Sequence, residues 1–252
     1  MKVKKSRLKR QLNIVSSHRG STLIEMVVSF TLLAIFLSTA TVIIANVTNL
    51  YYHVRGESYA RQVGDIITQK IVSEVGSARY SQTNNNYNPC IYEESVLTVG
   101  DLDRVAGNSI ALYDGTDTRI RMFASYLTAQ DYANGADPKD DGVFQIYYYP
   151  ITDETDSSNN KVGTYWTFDK KIYNGYKITS LHFAAANSAL NEQLATQYNI
   201  ADVHASDYPS NVMAVYMTLK SDKYGEYNIC RFVKMYDYPE STDLIVVKAK
   251  EN

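Results

Sequence analysis

Over 22 consecutive residues, Met26 to Val47, the chain contains no Asp, Glu, Lys, Arg, His, Pro or Gly. A helix rises about 1.5 Å per residue, so the run covers roughly 33 Å, enough for the hydrocarbon core of a bilayer. Its five Ser and Thr can bond back to their own helix, so they do not break this reading. Residues 1–20 show a different absence: they have no acid, but hold Lys2, Lys4, Lys5, Arg7, Lys9, Arg10 and Arg19. Cysteine is scarce, with Cys90 and Cys230 alone, and His53, His182 and His204 are scattered, so no zinc pattern exists. A nucleophile elbow, a phosphate loop and a His–acid pair at catalytic spacing are all missing, which leaves enzymatic chemistry and cofactors without support.

One carboxylate stands at the edge of the apolar run. In RGSTLIEMVVSF, Glu25 precedes Met26, where an acid costs roughly 2.5–3.5 kcal/mol at a bilayer centre and less near its edge. An acid resting at the headgroup edge is one explanation; an acid with a partner is the other. Positive flanks stay in the cytoplasm, so the basic residues 1–20 place the C-terminal bulk outside. A secretory signal peptide also begins basic, but its apolar run is shorter and its cut follows that run. Here the candidate junction, Arg19-Gly20, comes before the run.

The RG followed by STLIE resembles the cleavage and methylation motif of type IV pilin-like proteins, a family that includes the pseudopilins of type II secretion and competence systems. The resemblance is specific over roughly residues 15–50 and weakens beyond. It implies a cut between Gly20 and Ser21 by a membrane prepilin peptidase, N-methylation of Ser21, and an assembly role for Glu25, the fifth mature residue. In the family, this acid meets the new terminal amine of a neighbouring subunit. The implied partners are other pilin subunits, the peptidase, an assembly platform membrane protein and the membrane itself. Two positions depart from the pattern. Ser21 stands where the family more often has Phe, and Val42 stands where many major pilins carry a helix-bending proline.

The remainder reads as an exported head. Loss of residues 1–20 removes seven of 25 basic residues and leaves 18 against 27 acidic ones, a formal charge near −9 that disfavours nucleic acid. Tyrosine is abundant at 22 residues, which suits sheets and contact surfaces equally. Val63, Ile66, Ile67, Ile71 and Val75 recur at helical spacing, so one long helix is expected over about 22–78. Gly56, Gly64 and Gly76 weaken it by about 1 kcal/mol each relative to Ala, with flexure expected at Gly56. After the Asn-rich break at 84–89, strand-like runs recur at 95–99, 109–113, 119–124, 143–149, 164–168 and 177–183. A hairpin follows at 212–220 and 227–236, while 125–142 and 151–161 read as loops. The fold class is therefore α+β, a long helix on a mostly antiparallel sheet, which is the pilin architecture that the resemblance also implies. The organisation is a leader at 1–20, a helix at 21–78 with its transmembrane half at 26–47, and an extracytoplasmic head at 79–252.

Cys90 and Cys230 leave both a disulfide and two free thiols open; a bridge closing so long a loop contributes roughly 4–5 kcal/mol in the chain-entropy model. Asp137, Asp140 and Asp141 gather before a glycine, but miss the twelve-residue calcium-loop pattern and read as a solvated loop. The leading function is a minor structural subunit of a type IV pilus-like fibre, favoured by the 232 residues left after cleavage and by Glu25. A pseudopilin of a secretion or DNA-uptake machine is the alternative. A membrane-anchored enzyme or ligand-binding protein with an uncleaved helix is the reading from another class.

Overall fold

A computed structural model describes residues 3–80, 88–92, 105–116, 118–127, 133, 135, 137, 141–150, 163–239 and 245–247, with side chains from Leu23 onward and residues 245–247 by their backbone. The chain divides into two units, residues 1–54 and 55–252. One helix, α1 (Val3–Ser77), supplies the first unit and begins the second. The expected strand at 95–99 falls outside the described residues.

Within the second unit, two sheets and the latter part of α1 share one core. The larger sheet has the order β5-β4-β3-β2-β1-β9. Its strands are β1 (Cys90–Tyr92), β2 (Ser109–Tyr113), β3 (Thr118–Ala124), β4 (Phe144–Pro150), β5 (Thr164–Thr167) and β9 (Ile245–Val247). All neighbours are antiparallel except β1 and β9, which run parallel. The smaller sheet, β6-β7-β8, is antiparallel and comprises β6 (Lys177–Ala185), β7 (Val212–Ser221) and β8 (Gly225–Lys234). The two sheets meet at residues 105–108, where Leu181 N donates to Ala106 O and Asn108 N to Leu181 O. Gly107 sits there at φ 111°, and a Cβ would lie 2.1 Å from Leu181 O, so the junction requires glycine.

Strand alternation divides the side chains. Ile120, Met122 and Ala124 of β3, with Phe144 and Ile146 of β4, point into the main core. Phe123, Tyr147 and Tyr149 point the other way and form a second cluster with Val105. On that outer face Tyr147 stacks on Tyr149 and Tyr165, and the buried Arg121 lies 4.3 Å from the Tyr92 ring centroid. From β6–β8 the core receives Leu181, Phe183, Val215, Met217, Ile229 and Val233. The opposite face of this sheet is covered by α2 (Ala189–Gln197), through Leu194, Ala195 and the following Tyr198. Ser188 caps α2, its hydroxyl accepting from Asn191 N.

The α1 stripe is narrower than its spacing suggests. Ala60, Val63, Ile67, Ile71 and Val75 are buried, whereas Ile66 is 37% exposed. Ile66 is about 100° around the helix from Ile67, off the covered stripe. Gly56 lies within α1 and is buried. Its carbonyl accepts from Tyr176 Oη at 2.8 Å, and a Cβ there would come within 2.7 Å of Tyr224 Cβ. Gly56 therefore serves close packing. Further along, Glu74 is buried and takes hydrogen bonds from Lys70 Nζ and Tyr148 Oη, the latter at 3.0 Å. Burial, and after it the adjacent Glu74 carboxylate, raises the Tyr148 pKa.

Candidate functional site: the N-terminal helix

From Leu23 to Val54 the first unit presents an exposed, predominantly apolar surface. Glu25 is exposed, and from Leu23 to Val54 every side chain is exposed except the half-buried Ala40. Phe30, Ile35, Phe36, Ile43 and Ile44 are each more than half exposed. Among the described residues, α1 is the one helix long and apolar enough to cross a membrane. Several of its threonines bond back to the helix. Thr31 Oγ1 donates to Val27 O at 2.8 Å, Thr41 Oγ1 to Leu37 O at 2.8 Å and Thr39 Oγ1 to Ile35 O at 3.1 Å. The expected back-bonding is thus present at these three threonines, whose hydroxyls are satisfied by the preceding turn of their own helix.

The Gly20–Ser21 peptide lies within the same helical backbone. Ser21 and Glu25 are four residues apart, so one helix face carries both, about 6 Å apart along the axis. Residues 15–41 match the family described as the prokaryotic N-terminal methylation motif. This motif supports a type IV pilin-like prepilin. The match spans the Gly20–Ser21 junction, Glu25 and most of the apolar run. No curated protein matches the chain, and neither does any solved structure. The prepilin motif and the exposed apolar helix together support a membrane-anchored protein, and the head supplies the α+β architecture of pilin-like chains.

The other candidate residues are dispersed. Cys90 is buried in β1, where its Sγ accepts from Arg119 Nη2 at 2.9 Å. Cys230 is half-buried in β8 beside Tyr216, and burial pushes its thiol pKa up. Both thiols are free. The two cysteines stand in different sheets, since β1 pairs with β2 and β9 and β8 with β7. Of the three aspartates at 137–141, Asp140 lies outside the described residues. Asp141 accepts from Leu127 N at 3.0 Å and forms an ion pair with Lys177 at 2.8 Å, so its carboxylate ties a loop to β6. Among the described residues no group of three or more His, Cys, Asp or Glu is placed to hold a metal.

One polar cluster escaped the sequence reading. His182 Nδ1 lies 2.9 Å from Tyr198 Oη and 3.1 Å from Ser180 Oγ, and these two oxygens are 2.7 Å apart. Nearby, Tyr216 Oη donates to Asn191 Oδ1 at 2.6 Å, and Asn228 Nδ2 to Tyr198 O at 3.2 Å. These bonds fasten α2 and the chain after it to the smaller sheet. Burial lowers the His182 pKa, which favours the neutral ring. Only the alternation in KITSLHF, which puts Ser180 and His182 on one strand face, hinted at this arrangement.

Proposed function

We propose that the chain is a minor structural subunit of a type IV pilus-like fibre, cut between Gly20 and Ser21 by prepilin peptidase and assembled with other pilin subunits through its N-terminal helix. The observation that carries this reading is the exposed apolar helix beginning at the methylation motif, which offers hydrocarbon both to a bilayer and to neighbouring helices. An assembly platform membrane protein would lift the subunit from one to the other. Cleavage frees an ammonium at Ser21, which is then available for N-methylation. In a fibre the Glu25 carboxylate of one subunit can meet the Ser21 amine of another inside an apolar environment. Such a pair fixes register more than it adds stability, because desolvating both charges offsets much of their attraction.

The test joins the two sites. Gly20→Trp should leave the full-length precursor, since a bulky side chain does not enter a site shaped around hydrogen. Glu25→Val should be cleaved normally and remain folded, yet fall several-fold in sheared surface fractions relative to the membrane fraction. Glu25→Gln, which keeps shape but deletes charge, should show the same loss. Wild-type levels of Glu25→Val in the fibres would sink the pairing mechanism, and normal processing of Gly20→Trp would place the cut elsewhere.

A further inference from the structure

We propose that Tyr51 and Tyr52 anchor α1 at the outer headgroup layer of the bilayer and thereby fix the depth at which the lone subunit waits. The inference rests on the membrane-anchored reading above and adds a position to it. Tyr51 is 55% and Tyr52 41% exposed, immediately after Leu50, which is 64% exposed. Their rings stand edge-on with centroids 5.9 Å apart. Adjacent residues on a helix diverge by about 100°, so the pair engages lipid over a broad arc rather than along one line. Tyrosine suits a membrane boundary because its ring packs on acyl chains while its hydroxyl reaches water, carbonyl or phosphate.

The lengths support this placement. Between Glu25 and His53 the chain carries no Asp, Glu, Lys, Arg or His. The 22 residues from Met26 to Val47 fill a hydrocarbon core of about 30 Å. Tyr51 and Tyr52 lie about 6–8 Å further on, at the outer part of a headgroup layer about 5–8 Å deep on each side. From Tyr52 back to Glu25 the helix measures about 40 Å, which matches a whole bilayer including both headgroup layers. With the tyrosines seated outside, Glu25 reaches the inner headgroup layer and avoids the core. The Gly20–Ser21 bond then lies beyond it on the cytoplasmic side.

The full-length chain would be reconstituted in vesicles of phosphatidylcholine and phosphatidylglycerol, with lipids brominated either near the headgroup end of the acyl chain or near its methyl end. Tryptophan at Tyr52→Trp should be quenched at least twofold more by the shallow bromines, after subtracting the signal of the native Trp166. A Val42→Trp reporter should then change its shallow-to-deep quenching ratio at least twofold when Tyr51→Ala and Tyr52→Ala are added. Equal quenching of Tyr52→Trp by both lipids, or none by either, would overturn the anchor and leave the tyrosines to contacts between subunits. An unchanged Val42→Trp ratio in the double-alanine chain would also overturn it. Failure of the wild-type chain to enter the vesicles at all would overturn the membrane reading, and the anchor with it.

Discussion

Single residues in the head make opposite demands that look alike in sequence. Gly56 and Gly76 both lie in α1, and both weaken a helix relative to Ala. A Cβ at Gly56 meets Tyr224 Cβ at 2.7 Å, an atom held by its own backbone; at Gly76 nothing lies within 4 Å. Gly56→Ala is therefore expected to lose roughly 1–2 kcal/mol, overpacking outweighing the helix gain. Gly76→Ala should instead gain up to about 1 kcal/mol. Urea denaturation of the two variants checks the sign of each. His182 gives a pH signature. Its folded-state pKa lies below its unfolded value, so the unfolded chain binds more protons as pH drops. Its contribution to stability is full above the unfolded value near 6.5 and declines as pH falls toward the folded value. His182→Gln should flatten the dependence of stability on pH in that window, measured by thermal unfolding across a pH series; an unaltered slope would show that other groups carry it.

At the scale of elements, legibility followed the length and period of each pattern. The long apolar run and the strands at 109–113, 164–168 and 212–220 are visible because their own residues specify them. The three-residue strands β1 and β9 are not, since each owes its conformation to the strand beside it. The helix α2 was missed because ALNEQLATQ places few apolar residues on its covered side. Ile66 and Ile67 illustrate the limit of periodicity: both fit a broad helical stripe, and only contact with the core separates them. Ile67→Ala should cost about 2–5 kcal/mol, whereas Ile66→Ser should change stability by about 0.5 kcal/mol or less. Chemical denaturation of both would test the assignment of this face. At the candidate site, the expected junction Gly20–Ser21 and Glu25 stand in a short local motif, which the family match at residues 15–41 also covers. The Ser180–His182–Tyr198 cluster was not legible in this way, because it joins residues up to 18 apart through a helix packed on a sheet.

For the whole molecule, the two cysteines mark what chain order cannot reveal. They are 140 positions apart in sequence, and nothing in that separation states whether their strands are neighbours. With both thiols free and in different sheets, intact-mass measurement after alkylation of denatured, unreduced protein should find two labels per chain. In the native protein Cys230, half-buried, should react before the buried Cys90. The threonines of α1 carry a broader consequence. Because Thr31, Thr39, Thr41 and Thr48 all turn their hydroxyls onto carbonyls of the same helix, the stretch around them beyond Glu25 offers neighbours shape more than hydrogen bonds. A surface of that kind does not discriminate between one apolar helix and another of similar girth. In the proposed fibre, subunit identity would then be read by the heads, and a shaft that accepts many companions would let a rare subunit share a filament built mostly from something else.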